Sequence, residues 1–446
     1  MSQLDTHHPG KTLWGTWTQM LALSFTLAIM GLGSNGRSEP LSRSEPLSRS
    51  QILSMRVQAI RVTDDDGRRP ANVTAEQVKQ WVDFANRTFA PAGIRFDFSP
   101  DATDCSELRS TVINRMAGTG DPNWTQAKQT GNEVAARYPG KMVVFFRYGR
   151  DEGPSGGGFS WTDYNFIVMP GFADASHCGH PHTDALAHEV GHYLGLPHTF
   201  AHEPFVTLAE AAAYLREKDN NPAVFDGDGF SDTPPDPAIR PLECLRTPQV
   251  TLNDTVFPLP RRNIMSYYDE RDSLSPQQSE RVRWIMALRV KGGGPLPTNR
   301  GAGNPIEAET LQVADGTGVG AQPMTNAQPM TGFGDGWSGG AQLFWGAGPD
   351  ASLTLLLPVR QAGQYRVDLY ATLAPDFGRA QVSLDGRPIG EPFDAYAPLV
   401  VPSGKITLGT LHLTAGVHRV RFDMVGKNDA STGFKLGIDC LDLIPS

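Results

Sequence analysis

The stretch His188-Glu189-Val190-Gly191-His192-Tyr193-Leu194-Gly195-Leu196-Pro197-His198 decides the reading of this 446-residue chain. On a helix, residues four apart lie on one face, so His188 and His192 can bind one metal ion. Glu189 sits beside the first ligand and can reach a water on that metal as general base. Gly195 can take the left-handed conformation that ends a helix, after which the chain turns back and His198 supplies a third imidazole. Three neutral imidazoles leave the fourth tetrahedral position of one catalytic zinc open to water, whose pKa the metal lowers toward about 7. Glu189 then takes a proton from that water. The plainer alternative is three histidines paired with carbonyls or solvent and no metal; the spacing of Gly195 disfavours it.

The surrounding pattern supplies a scaffold. Val57, Ala59 and Ile60–Val62 fit a strand, and Thr74 with Gln77 three residues on forms a capping box for a helix. Val78, Trp81, Val82, Phe84, Ala85 and Phe89 give that helix an apolar face, and Pro91-Ala92-Gly93 stops it. Ile94–Phe98 alternates as a strand should, and Met142–Phe146 is a short buried strand. Gly156–Trp161 reads as a glycine-interrupted edge strand and Asn165–Met169 as another strand leading into the histidine helix. These elements make an α+β domain over residues 55–290, with a twisted sheet and an active-site helix. A Gly/Pro linker follows at 291–304, around Gly292–Pro297. Beyond it, over 305–446, Tyr365–Leu369, Gln381–Leu384 and Val417–Phe422 alternate between turns at Asp385-Gly386 and Ala415-Gly416, the texture of an all-β sandwich.

Composition narrows the class. Hydrophobic residues are 39% and charged residues 20%, which excludes a disordered chain. The net charge is -9 and no Lys/Arg cluster stands out, so nucleic acid is not an expected partner. Lys11 precedes the apolar run Met20–Met30, and small residues follow at Gly31, Gly33 and Ser34. Residues 1–34 therefore read as a signal peptide, too short in its apolar core for a comfortable span; an uncleaved anchor from Trp14 is the alternative. The expectation is a secreted protein, extracellular or periplasmic, with no stable membrane insertion after cleavage. Residues 35–54 hold a repeat, Ser38–Arg43 and again Ser44–Arg49, and read as a linker or short pro-segment. It contains no cysteine that could plug a zinc site. The four cysteines, Cys105, Cys178, Cys244 and Cys440, form no C-x-x-C pair, and spacing alone does not fix their pairing.

The extended histidine motif resembles that of the metzincin zinc peptidases, which also carry a methionine turn. Asn263-Ile264-Met265-Ser266-Tyr267 looks like that turn. The resemblance implies that Met265 floors the histidines and Tyr267 stabilises the tetrahedral oxyanion. Within the metzincins, His198-Thr199-Phe200, Asp226–Pro235 and Ser275–Arg281 are similar to the pappalysin branch, over roughly residues 55–290. That branch implies a zinc endopeptidase acting on protein or peptide substrates. A catalytically silent glycan-binding or adhesion protein keeping the same shell is the alternative. The pappalysin resemblance also implies calcium at Asp226, Asp228, Asp232 and Thr233, where a solvated acidic turn is the plain reading. It implies a specificity pocket behind the Met turn, with Asp269 and Asp272 receiving a basic side chain; a solvated turn containing Glu270 and Arg271 is the alternative. The chain departs from the branch where Asp272 stands at a position usually held by a cysteine, which leaves Cys178 as the candidate partner of Cys244. The helical run Leu208–Leu215 is an insertion.

Residues from about 305 resemble carbohydrate-binding and galactose-binding sandwich modules, on Ile306–Glu309 at the start and Gly437–Leu441 at the end. The resemblance implies that the first and last strands lie side by side and that Glu307, Glu309 and Asp439 are candidates for a structural calcium. Trp337, Phe344 and Trp345 are candidates to stack on sugar rings, with core or loop packing as the ordinary alternative.

Overall fold

The structure, a computed structural model, describes residues 51–446 except 117–122, 149–157, 161–163, 171–175, 179, 182, 295, 300, 302–304, 319–324 and 334–335. The signal segment, the six-residue repeat and parts of the Gly156–Trp161 strand lie outside the described residues. Among the described residues two compact units emerge. One is Pro197–Gln278; the other combines the residues before 197 with Ser279–Ser446.

In the larger unit, β1 (Leu53–Thr63) is the central strand of a parallel sheet. It pairs with β2 (Ile94–Asp97), β3 (Cys105–Arg109) and β4 (Lys141–Arg147), and β4 pairs with β5 (Phe166–Pro170). Parallel strands are covered on both faces, so Met142–Phe146 and Phe166–Met169 read as unbroken apolar runs and are wholly buried. Helix α1 (Ala75–Phe89) starts with the expected capping box: the Thr74 hydroxyl accepts from the Gln77 amide, and the Gln77 side chain accepts from the Thr74 amide. Its apolar stripe turns inward, and Trp81 stacks on Phe146 with ring centres 5.7 Å apart. Phe84 is only half-buried, with Arg87 over its ring. Helix α2 (Trp124–Ala135) packs on β5. Helix α3 (Ala185–Tyr193) carries the first two histidines and packs on α1 and β5.

Helix α5 (Pro276–Lys291), the last before the sandwich, locks this arrangement; α4 (Leu208–Glu217) belongs to the smaller unit. Arg289 is fully buried with its guanidinium 3.5 Å over the Tyr193 ring. It donates to the carbonyls of Tyr193 (3.0 Å), Tyr164 (3.1 Å) and Gly294 (3.0 Å). A cation on the last carbonyls of α3 also complements that helix's dipole. Arg283 donates to the carbonyls of Ala92, Gly93 and Gln51. Described residues of the stretch read as a linker are bonded to their surroundings. Gly293 accepts from the Gly140 amide, and the buried Asn299 side chain bonds the Ala371 carbonyl and the Gly404 amide.

Residues from Ile306 onward form two antiparallel sheets facing one core. One runs Thr325–Pro329, Ala341–Trp345, Leu436–Pro445, Gly363–Leu373, Val401–Leu413; the other runs Gln312–Gly316, Ser352–Val359, Gly416–Gly426, Arg379–Leu384, Arg387–Asp394. Ile306–Glu307 pairs antiparallel with the last strand, Glu307 opposite Cys440. Leu353, Leu355, Leu357, Val367, Leu369, Phe422 and Ile438 fill the space between the sheets.

One polar clamp joins two turns of the sandwich. The His418 ring donates from Nδ1 to the Asp385 carboxylate (2.6 Å) and from Nε2 to the Thr414 carbonyl (2.9 Å). Neither partner can donate, so both bonds are made together only when both ring nitrogens carry protons, that is, by the cationic imidazole. Burial works against that charge, but the two hydrogen bonds outweigh it and hold the pKa above 6.5. The clamp is thus fully formed below 6.5 and is lost as pH rises through the raised value. His418→Gln is expected to lower the melting temperature most at about pH 5 and least at about pH 9. An equal deficit at both pH values would show that protonation of His418 stabilises nothing.

Candidate metal centre

Leu186, Ala187, Val190 and Tyr193 are completely buried and fix how α3 sits, so His188 and His192 share the remaining face. Their rings are perpendicular with centroids 4.8 Å apart, and His188, Glu189 and His192 are nearly buried. The helix closes with paired hydrogen bonds: Leu196 N–H to the Gly191 carbonyl (2.9 Å) and Gly195 N–H to the His192 carbonyl (3.0 Å). Gly195 has φ of 86°, the left-handed state this closure requires. The reversed chain places the Leu196 carbonyl 2.7 Å from His192 Nδ1. That nitrogen must be the N–H, which leaves the Nε2 lone pair for a metal. The ligand nitrogens of His188, His192 and His198 lie within 4.8 Å of one another. Nitrogens about 2.1 Å from a tetrahedral zinc would sit about 3.4 Å apart, so the three imidazoles fit that ion after a small contraction.

Glu189 has a neighbour that the sequence did not announce. A Cβ built on Gly158 would stand 2.8 Å from Glu189 Cγ, 3.0 Å from its Oε1 and 3.0 Å from Met169 Sδ. Phe159 bridges Val168 beside it. A glycine inside a strand pattern is the available signal for such a close approach, though it does not say what approaches.

In the smaller unit, the His198 ring stacks on Phe200 (4.6 Å, 10°) and meets Tyr267 edge-on at 4.9 Å. The turn read as a Met turn is held by its own first residue: Asn263 Oδ1 accepts from the Met265 amide (2.9 Å), and its carbonyl accepts from Ser266. Met265 is completely buried, and its carbonyl accepts from the Thr199 amide (3.3 Å).

The acidic loop differs from the calcium reading. Asp226 Oδ1 caps the amides of Asp228 and Gly229. Asp228 accepts from the Phe230 amide, the Thr233 hydroxyl (2.6 Å) and Gln278 (3.0 Å). Asp232 accepts from the Ser275 hydroxyl and the Gln277 amide at the start of α5. Burial pushes the Asp228 carboxyl up to about 6 against its hydrogen bonds. Among the described residues the carboxylates of Asp226, Asp228 and Asp232 do not converge. Their hydrogen bonds, with those of Thr233, fold the loop.

The expected specificity acids are also occupied. Asp269 is buried in an ion pair with Arg261, Asp272 pairs with exposed Arg262, and Glu270 pairs with Arg246 at 3.1 Å. Asp269 and Asp272 are thus each paired with an arginine, the first in a buried pair and the second in an exposed one. Arg271 is buried and donates to the Ser266 carbonyl (2.8 Å), which makes it a support of the Met turn and not part of a solvated loop.

A second cluster lies in the sandwich, where ligand atoms of Glu307, Asp439 and Cys440 converge within 4.8 Å. Glu307 Oε2, Glu309 Oε2 and Asp439 Oδ1 are buried and accept no hydrogen bond among the described residues. Burial, reinforced by repulsion from Glu307 and Glu309, pushes the Asp439 carboxyl up to about 7. The aromatic residues read as sugar platforms are mostly core. Trp345 is fully buried and donates to the Thr317 carbonyl; Trp337 is 5% exposed and donates to Thr372. Phe344 is half-buried.

Residues 154–287 match the Peptidase M43 family model, described as pregnancy-associated plasma protein-A. That match supports a zinc metallopeptidase at the level of the family. It supports a hydrolase that acts on protein substrates. No curated protein matches the chain. Among solved structures, a Paenibacillus xanthan lyase is 26% identical, with 34% of this chain covering 14% of that one at a TM-score of 0.28. A Podospora anserina mannanase with a family 35 carbohydrate-binding module is 20% identical, over 32% of this chain and 27% of that one, at a TM-score of 0.21. A free-standing family 35 module from Paenibacillus barcinonensis is 16% identical, over 32% of this chain and 100% of that one, at a TM-score of 0.21. The chain thus spans about a quarter or less of the first two of these.

Cys178 and Cys244 are disulfide-bonded and Cys105 and Cys440 are free thiols, so the four cysteines supply one bridge. His198→Ala is expected to weaken zinc retention by more than the roughly 10–100-fold that follows loss of a supporting contact. Competition with a chromophoric chelator measures it, and unchanged affinity would remove His198 from the ligand set.

Proposed function

We propose that the chain is a secreted zinc endopeptidase of the metzincin type, pappalysin-like, with His188, His192 and His198 as metal ligands and Glu189 as general base. The observation that carries this reading is the convergence of three imidazole nitrogens beside Glu189, inside the region matched by a peptidase family model. Zinc held there would supply Lewis-acid polarisation of the scissile carbonyl and of the attacking water. Glu189 takes a proton from that water and passes it to the leaving amine. Gly158 leaves the Glu189 carboxylate room on the side where any other residue would press on it. Tyr267, packed edge-on to His198, donates its phenolic proton in a hydrogen bond to the developing oxyanion. Met265, buried beneath the turn that carries Tyr267, keeps that turn apolar and closed to water.

Two further assignments belong to this reading. Glu307, Glu309 and Asp439 form a calcium site in the sandwich, supported by their three orphaned buried oxygens, since unpaired carboxylates at such close quarters are otherwise unfavourable. The sandwich serves as a glycan-binding module, with its sugar face elsewhere than Trp337 and Trp345. Export follows from the amino-terminal signal.

The deciding experiment is cleavage of a peptide library by the purified mature protein, with and without a chelator. Glu189→Ala should keep about one zinc per chain and lose turnover by about 10²–10⁴-fold. A wild-type protein that binds zinc and cleaves no peptide would favour the silent adhesion reading. Gly158→Ala should lower kcat by about 10²-fold, the effect of misplacing a reacting group by about an ångström, with zinc content unchanged. Wild-type kcat in that variant would make the close approach irrelevant.

A further inference from the structure

Asp236 takes no part in the chemistry above, yet it is completely buried in the smaller unit. Its Oδ2 accepts from the Thr199 hydroxyl at 2.6 Å. Its Oδ1 accepts from the Tyr268 hydroxyl at 2.8 Å and from the Ala238 amide at 2.9 Å. Its own amide donates to the Phe225 carbonyl (3.1 Å). Thr199 directly follows His198, and Tyr268 directly follows Tyr267. Thr199 is further fixed by its amide on the Met265 carbonyl and by the Gly227 amide on its own carbonyl. One carboxylate therefore braces two separate loops at the positions next to the rings that meet at 4.9 Å. Burying a carboxylate is unfavourable even with its hydrogen bonds made, and an apolar residue of similar size fills such a space at less expense in stability. What an apolar residue does not provide is a fixed distance between two hydroxyls.

We propose that Asp236 is a positioning residue that sets the separation of His198 and Tyr267, acting on the first through Thr199 and on the second through Tyr268. This rests on the reading of His198 as a metal ligand and Tyr267 as the oxyanion donor. Asparagine at 236 keeps the acceptor oxygen that the Ala238 amide requires but presents an N–H₂ to Thr199, so the Thr199 hydroxyl loses its acceptor and that arm is reversed without loss of volume.

The test uses the full mature chain loaded with zinc or with cobalt(II), and the variants Asp236→Asn, Thr199→Val, Thr199→Ser and Tyr268→Phe. Zinc affinity comes from chelator competition, ligand geometry from the visible absorption of the cobalt form, and kcat and KM from a peptide substrate. Thr199→Val should weaken zinc retention by about 10–100-fold and alter the cobalt spectrum, while Thr199→Ser, which keeps the hydroxyl, should restore both. Tyr268→Phe should lower kcat by about tenfold or more, with KM and zinc affinity unchanged. Asp236→Asn, whose retained oxygen stays with the Ala238 amide and the Tyr268 hydroxyl, should show the zinc defect, and adding Thr199→Val to it should cost no further zinc affinity. Variants that fold but keep wild-type zinc affinity, cobalt spectrum and kcat would overturn this proposal alone. A wild-type chain that binds neither metal would overturn it together with the peptidase reading.

Discussion

The left-handed turn at Gly195 is the constraint on which the candidate metal centre depends. A helix that continued past Leu194 would carry residue 198 onward along its own axis, and the third imidazole would be lost. At Gly195 the φ of 86° reverses the chain, and an L-residue with a side chain would pay roughly 1–2 kcal/mol for that state. The reversal also satisfies the helix: Gly191 and His192 find amide partners at Leu196 and Gly195. The same turn brings the Leu196 carbonyl to His192 and so selects which ring nitrogen stays free. Arg289 secures the end from outside, on the carbonyl of Tyr193. Helix termination, tautomer choice and ligand placement are thus one local event.

Features with a short period were legible in the chain. The Thr74–Gln77 box, the apolar stripe from Val78 to Phe89 and the buried runs of β4 and β5 depend on neighbours in sequence, and the structure has them where spacing placed them. The converging histidines are legible for the same reason, since eleven residues contain all three. Partners distant in sequence were not legible. Gln278 reaches Asp228 across 50 positions, and nothing near Asp228 says that its oxygens are already used. Asp269 was visible as an acid behind the Met turn, but Arg261 had to be seen across the turn before its charge could be discounted. The tryptophans carry a different lesson. Leu343 and Trp345 occupy alternate positions of one strand and face the same core, so the two-residue period already argued for packing at Trp345.

The chain handles buried carboxylates in three ways. Asp236 and Asp228 are saturated with hydrogen bonds from hydroxyls and amides, and Asp269 is neutralised by Arg261. Asp439 is left with an oxygen that no group among the described residues satisfies. The first kind shapes loops around the metal centre, the second stiffens the turn behind Tyr267, and the third retains capacity for something from solution. Sequence alone gives all of these residues the same letter.

Helix α5 belongs to two surfaces. Arg283 and Arg289 face the parallel sheet and α3, while Arg281 bonds the Pro398 carbonyl and Trp284 packs against the sandwich core. Gly293 and Asn299 then stitch the connecting stretch to both sides. A cut there would separate the sequence into halves without separating the packing. A truncated amino-terminal half would carry an uncovered tryptophan and would be prone to stick to itself or to other proteins. Exchange of the sandwich for another module, in the laboratory or over evolution, would have to bring a surface shaped for Trp284 with it.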